Sequence, residues 1–278
     1  MRERKAVLEC VINVSEGRDE AVIDGLRTVA GRSLLDLHHE RRHNRAVLSL
    51  AGPDVDGAAR AVTGVGVHTI DVRTHAGAHP RLGAVDVVPF VPLDGSTMAD
   101  AVAARDRFAG WAANEFGVPC FLYGPERSLP DVRRTAFDSL APDVGPPNPH
   151  PTAGAICVGA RPVLIAYNVW LEPGTDVSVA SEIANAVRGP VVRALGLDLE
   201  GLAQVSMNLI DWPTVGPADA YAAVAALAEE KGTRVSAAEL VGLMPDAALM
   251  AIPEDRWLEL GVSRMQTIEV ALRRRPGV

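Results

Sequence analysis

Six of the seven histidines, His38, His39, His43, His68, His75 and His79, fall within 42 consecutive residues, and only His150 lies outside them. Imidazole is the side chain best suited to proton transfer near neutral pH, so this crowding marks where acid–base chemistry is to be sought. The tightest constellation is Thr74-His75-Ala76-Gly77-Ala78-His79-Pro80-Arg81-Leu82-Gly83. Gly77, Gly83 and Pro80 shape it as a loop rather than a helix, and it leads into an apolar run, residues 85–91, that reads as a strand. A loop presenting His and Arg at the mouth of a strand is a catalytic platform. The plain alternative is a set of histidines that cap turns and bond to backbone.

A second cluster, Asp36-Leu37-His38-His39-Glu40-Arg41-Arg42-His43-Asn44-Arg45, has two readings. One is an anion site, because guanidinium groups offer bidentate geometry to carboxylates; the other is a solvated hairpin loop. A metal site of His38, His43 and His79 can be drawn, but the spacing does not make the three converge, and no metal is expected. Cys10, Cys120 and Cys157 are odd in number and far apart, which argues against both a disulfide framework and structural zinc.

The elements that would position these groups alternate between apolar runs and amphipathic stretches. Residues 7–14 are rich in β-branched side chains and end at the turn Ser15-Glu16-Gly17; Asp19 then opens a helix with Val22, Ile23, Leu26 and Val29 on one face, closed by Gly31. Residues 34–37 and 46–50 read as strands around a polar loop, Pro53 starts a second helix, and the strand 85–91 follows. That strand–helix–strand–strand–helix–strand order is the split βαβ signature of a ferredoxin-like unit. Further on come a helix at 97–114 and a strand at 120–123. Residues 141–151 then hold five prolines and one glycine, which stops regular structure and reads as a linker or a ligand-lining loop. Beyond it strands at 155–158, 163–171, 203–210 and 234–240 alternate with helices at 177–188 and 218–231. The expectation is an α+β chain of two ferredoxin-like (βαββαβ) halves, residues 1–150 and 151–278, with a ligand cleft between them. A doubly wound parallel fold is the rival, but no GxGxxG follows the first strand.

With 278 residues the chain is long enough to bury a core without staples. Aromatics are only 4%, so that core must rest on Val, Ala, Leu and Ile. The balance of 27 Lys and Arg against 35 Asp and Glu leaves a net charge of -8, which argues against nucleic acid as a partner; an anionic ligand would need a local basic pocket. The charged residues 1–7 lead into no signal-like apolar region and no run approaches membrane-spanning length, so no membrane partner and a cytoplasmic protein are expected.

On these residues the chain resembles the formiminotransferase family. Cys10-Val11-Ile12-Asn13-Val14-Ser15-Glu16-Gly17 is similar to the family's first strand and turn, Asn44-Arg45 to its Asn-Arg pair, and the run from His79-Pro80-Arg81 to Pro92 to its His-Pro-Arg segment. Later segments agree in order: Leu122-Tyr123-Gly124, Ile165-Ala166-Tyr167-Asn168, Ala203-Gln204-Val205-Ser206-Met207-Asn208 and Glu239-Leu240-Val241-Gly242-Leu243-Met244-Pro245. The resemblance implies two ferredoxin-like halves, a homodimer, and tetrahydrofolate as co-substrate accepting a formimino or formyl group from N-formimino-L-glutamate or a related donor. Because the chain stops near Val278, no cyclodeaminase domain is expected. By matching position His79 is the catalytic histidine, and Gly145, Pro146, Pro147, Asn148, Pro149, His150, Pro151, Thr152, Ala153 and Gly154 fall on the folate-binding stretch. Asn44, Arg45, Arg81 and Arg161 are the remaining candidates for binding substrate or folate, the three arginines as holders of carboxylates. Arg81 beside His79 would also favour a neutral imidazole by like-charge repulsion.

One departure stands out. Where the family has an acid two residues after the strand aspartate, this chain has Asp36-Leu37-His38, followed by the bulky basic run His39-Glu40-Arg41-Arg42-His43. If that acid orients the catalytic imidazole, Glu40 is the substitute on hand and His75 the alternative base. On that reading the donor pocket has changed and formiminoglutamate is a poor substrate. Other outcomes are a folate binder without formiminoglutamate activity and a metal-assisted hydrolase.

Overall fold

The computed structural model describes residues 7–275; of the N-terminal stretch read at 1–7, residues 1–6 lie outside it. The first element is strand β1 (Leu8–Val14), and helix α1 (Glu20–Ala30) starts where expected, with Asp19 Oδ1 accepting from the Ala21 and Val22 amides. Its buried face is Ile23, Leu26 and Ala30; Val29 turns outward, because the apolar stripe follows a 3.6-residue period past it. Full burial of Ile23 and Leu26 contributes roughly 1.5–3 kcal/mol each.

Strands β2 (Leu34–Glu40) and β3 (Arg45–Ala51) form a hairpin, and α2 (Val55–Thr69) leads to β4 (Val85–Pro92). The hydrogen-bonded order is β2-β3-β1-β4, antiparallel throughout. Helix α3 (Met98–Phe116) is opened by a capping box of Thr97 and Asp100, worth about 1 kcal/mol. After it come β5 (Cys120–Tyr123), α4 (Leu129–Thr135) and β6 (Ile156–Ala160), with β6 parallel to both β4 and β5. Apolar side chains of β1, β3, β4 and β6 and of α1, α2 and α3 make the core, mostly Val, Ala, Leu and Ile.

The pairing of β6 moves the boundary between the halves. The chain divides into two compact units at Pro162 and Val163, not at 150 and 151, because residues 156–160 complete the first sheet. The proline-rich segment is therefore no linker. It lies inside the first unit.

The second unit runs β7 (Ile165–Leu171), α5 (Val177–Val187), β8 (Val192–Asp198), β9 (Ala203–Leu209), α6 (Pro217–Glu230), β10 (Val235–Val241). Its sheet order is β10-β7-β9-β8, antiparallel, so the connectivity of β1 to β4 recurs. Strand β8 escaped the sequence reading. Cys10, Cys120 and Cys157 are buried free thiols, and among the described residues no helix is long and apolar enough to cross a membrane.

Candidate active site

The histidine loop is fastened to one end of the first sheet by its main chain. Asn44, in the turn before β3, adopts a left-handed conformation at φ 49°, which asparagine tolerates better than most residues. Its Oδ1 accepts from the Gly17 amide at 2.9 Å and its Nδ2 donates to the Ala76 carbonyl at 3.0 Å. The Ala78 amide adds a bond to the Arg42 carbonyl at 3.2 Å. Asn44 is thus the clasp between the β1–α1 turn, the hairpin and the loop. Gly77 allows the close approach, since a Cβ there would sit 2.3 Å from the His43 carbonyl oxygen. Gly77→Ala is expected to cost at least the 1–3 kcal/mol of an overpacked contact and to lower activity with it. Thermal unfolding and turnover measured on the same variant check this.

Beneath the loop lies a carboxylate that sequence reasoning did not single out. Asp86 in β4 is fully buried; its Oδ2 accepts from Arg45 Nη1 at 2.8 Å and from Arg133 Nη2, and its Oδ1 from the Leu82 amide at 2.7 Å. Burial pushes this carboxyl up, but the charges of Arg45 and Arg133 and these hydrogen bonds outweigh it and hold Asp86 below its ordinary value. Arg45 also donates from Nε to Asn13 Oδ1 at 3.1 Å. The one signal in the sequence was an aspartate inside an otherwise apolar strand, a residue almost never fully buried without partners. Arg133, on the short helix α4 and 47 residues from Asp86, gave none.

His79 is half-buried above this cluster. Its Nδ1 lies 2.8 Å from the Pro80 carbonyl oxygen, which also accepts from Arg133 Nη1 at 3.0 Å. A carbonyl oxygen only accepts, so Nδ1 carries the hydrogen and Nε2 carries the lone pair. Burial, and then the charge of Arg45 with a smaller push from Arg133, holds the imidazole well below its ordinary value of 6.5 despite Asp86 and the Pro80 bond. At neutral pH the ring is uncharged and can take a proton at Nε2. The His43 ring stands edge-on at 6.1 Å.

The other candidates are placed differently. Arg81 donates to His75 Nδ1 at 2.5 Å and to the Gly77 and His79 carbonyls at 2.9 and 2.6 Å, so it braces the loop from within. That contact makes His75 Nδ1 an acceptor and puts the hydrogen on Nε2; burial, then the Arg81 charge, lowers its pKa. Glu40 Oε2 accepts from the His43 amide at 2.6 Å and caps the hairpin turn. His38 is half-buried in β2 opposite Val47. Arg161 follows β6, its amide bonded to the Phe90 carbonyl; four strand residues at ~3.3 Å each separate Phe90 from Asp86. Among the described residues no group of three or more His, Cys, Asp or Glu is placed to hold a metal ion, so His38, His43 and His79 do not assemble a centre.

The proline-rich segment does reach the loop. The Val72 amide donates to the Thr152 carbonyl at 2.8 Å, Ala84 to Ala153 at 2.9 Å, and Ala155 to Leu82 at 3.0 Å. His150 and Gly154 close a turn by mutual backbone bonds, and His150 Nδ1 accepts from the Ala153 amide at 3.0 Å. Gly154, at φ 68°, lets the strands touch, because a Cβ there would meet the Leu82 carbonyl oxygen at 2.2 Å. From Gly145 to Pro149 the segment is exposed.

Comparison with known proteins bears on both units. Residues 7–161 match the N-terminal subdomain of the formiminotransferase domain, and residues 166–259 match the formiminotransferase domain. A glutamate formimidoyltransferase of Streptococcus pyogenes serotype M1 is 36% identical over 89% of this chain and 92% of its own length. One from Thermoplasma acidophilum is 31% identical over 89% and 91%. The formimidoyltransferase-cyclodeaminase of Sus scrofa is 36% identical over 88% of this chain, which spans 51% of that longer protein.

Proposed function

The chain belongs to the formiminotransferase family, and we propose that it transfers the formimino group of N-formimino-L-glutamate to tetrahydrofolate with His79 as the base. The observation that carries this reading is the tautomer of His79. Nδ1–H is engaged by the Pro80 carbonyl, and Nε2 is left with its lone pair on an imidazole kept neutral by burial and by Arg45.

In this mechanism His79 Nε2 takes the proton that N5 of tetrahydrofolate loses as N5 bonds to the formimino carbon. The same imidazole, now protonated, returns it to the glutamate nitrogen as the carbon–nitrogen bond breaks, releasing glutamate. Asp86 stays ionised between Arg45 and Arg133 and steadies the charge that His79 acquires, while the Pro80 carbonyl keeps the ring from turning. The segment from Gly145 to Gly154, exposed at its prolines and bonded along the histidine loop, fits a rigid wall for the folate. A homodimer and a cytoplasmic location belong to the same proposal. Single-turnover transfer with tetrahydrofolate and a panel of formimino donors tests it; no transfer from any donor overturns it.

On the proposed mechanism the departure at residue 38 is not needed to orient His79. The hydrogen bond that a carboxylate was expected to provide is made by the Pro80 carbonyl, which supports formiminoglutamate over an altered donor. His38→Asp is expected to leave formiminoglutamate turnover unchanged. A clear rise on steady-state assay would restore an orienting role for that position.

A further inference from the structure

Two of the three arginines expected to hold substrate carboxylates are occupied by the protein, Arg45 by Asp86 and Arg81 by its own loop, and Arg161 sits along β4 beyond the cluster. Two others are exposed and, among the described residues, have no carboxylate partner. Arg18 lies in the turn after β1 and Arg41 in the hairpin turn after β2. Arg18 Nε donates to the Arg41 carbonyl at 2.7 Å, and Arg41 Nη1 donates to the Arg18 carbonyl at 3.3 Å, so each side chain grips the other's main chain. The nearest acids in sequence face main-chain amides instead: Glu16 Oε1 accepts from Gly17, Arg18 and Asp19, Asp19 Oδ1 from Ala21 and Val22, and Glu40 Oε2 from His43.

The pair borders the histidine loop. Gly17 and Arg42, the neighbours of Arg18 and Arg41, carry two of the bonds that dock the loop, through Asn44 Oδ1 and the Ala78 amide. The lowered pKa of His75 owes most to burial and Arg81, with Arg18 adding to it. Each side chain is thus fixed over the neighbouring turn by a backbone bond, and the planar fork of each guanidinium matches a carboxylate. In a chain of net charge -8, two exposed arginines without a carboxylate partner beside the catalytic loop supply the local positive charge that an anionic ligand needs.

We propose that Arg18 and Arg41 form the subsite that receives a substrate carboxylate. The proposal rests on the transfer reading for its choice of ligand, and two sources share that chemistry: the glutamate part of the donor and the glutamate tail of the folate. Steady-state kinetics of Arg18→Gln, Arg41→Gln and the double variant distinguish them. A tenfold or so rise in KM follows from losing one charge-assisted hydrogen bond, with kcat falling far less. If the rise is in KM for formiminoglutamate, the donor is the source; if in KM for tetrahydrofolate, the folate tail is. Glutarate binding by calorimetry gives a readout that needs no turnover. Wild-type protein is expected to bind it with a strong salt dependence, and the double variant, folded by circular dichroism, is expected to lose that binding. Loss of glutarate binding in a protein that transfers nothing would keep the subsite and sink the transfer reading. Unchanged KM values with unchanged glutarate binding in the double variant would overturn the subsite.

Discussion

His79→Ala is expected to lower formimino transfer by about 10²- to 10⁴-fold, the usual worth of a positioned acid–base group. Folate binding should change little, because the imidazole is asked to move a proton rather than to hold the ligand. The pH dependence carries the same claim. The folded protein holds His79 well below 6.5, and only the neutral ring acts as base. The kcat/KM profile should therefore stay flat down through pH 6.5 and fall only as the pH drops through the lower value. Near wild-type turnover in His79→Ala, measured by quenched flow, would refute the role. His75 would not then be an easy substitute, since Arg81 occupies its Nδ1.

Asp86→Asn is expected to have the largest effect on stability. The carboxylate is fully buried between two guanidinium groups, and neutralising it leaves Arg45 and Arg133 without their shared counter-charge. Breaking such a buried arrangement costs about 3–5 kcal/mol. The linkage has a definite sign. Asp86 is held below its ordinary 3.8 when folded, so its contribution is present above the unfolded value and is lost as pH falls through the folded one. Urea unfolding across that acid range should show the wild type losing stability while the Asn variant, already weakened, shows a shallower slope. A variant as stable as wild type near neutral pH would show that the arginines find other partners. Because Arg133 also bonds the Pro80 carbonyl, the same change should loosen the ring of His79 and lower turnover in whatever protein remains folded.

Local pattern made the first half legible. The β-branched run of β1, Asp19 at the start of α1 and the apolar spacing of α2 each name their element, and their order alone gives the βαββαβ arrangement. What failed was non-local. Strand β6 pairs with β4, and Val87 and Cys157 are register partners seventy residues apart, a pairing that no window of sequence contains. Strand β8 was missed because Gly196 interrupts a short Val-Arg-Ala-Leu run; that glycine is required where a Cβ would strike the Ser181 amide of α5 at 2.4 Å. At the site, the histidine loop stood out by composition and by family likeness, and Asn44 and Arg45 by the basic cluster they close and by the same likeness. Their work here is tertiary, however: Asn44 ties two turns to a loop and Arg45 neutralises Asp86. The bond that decides which nitrogen of His79 is basic comes from the main chain of Pro80, and a backbone carbonyl leaves no mark on sequence.

Nitrogen-15 NMR of the imidazole of His79, followed through a pH titration, measures that bond most directly. The geometry predicts a neutral ring protonated at Nδ1 across neutral pH, titrating well below 6.5. A ring protonated at Nε2, or one that titrates at or above 6.5, would contradict the assignment of His79 as a neutral base with its lone pair facing the reacting nitrogen.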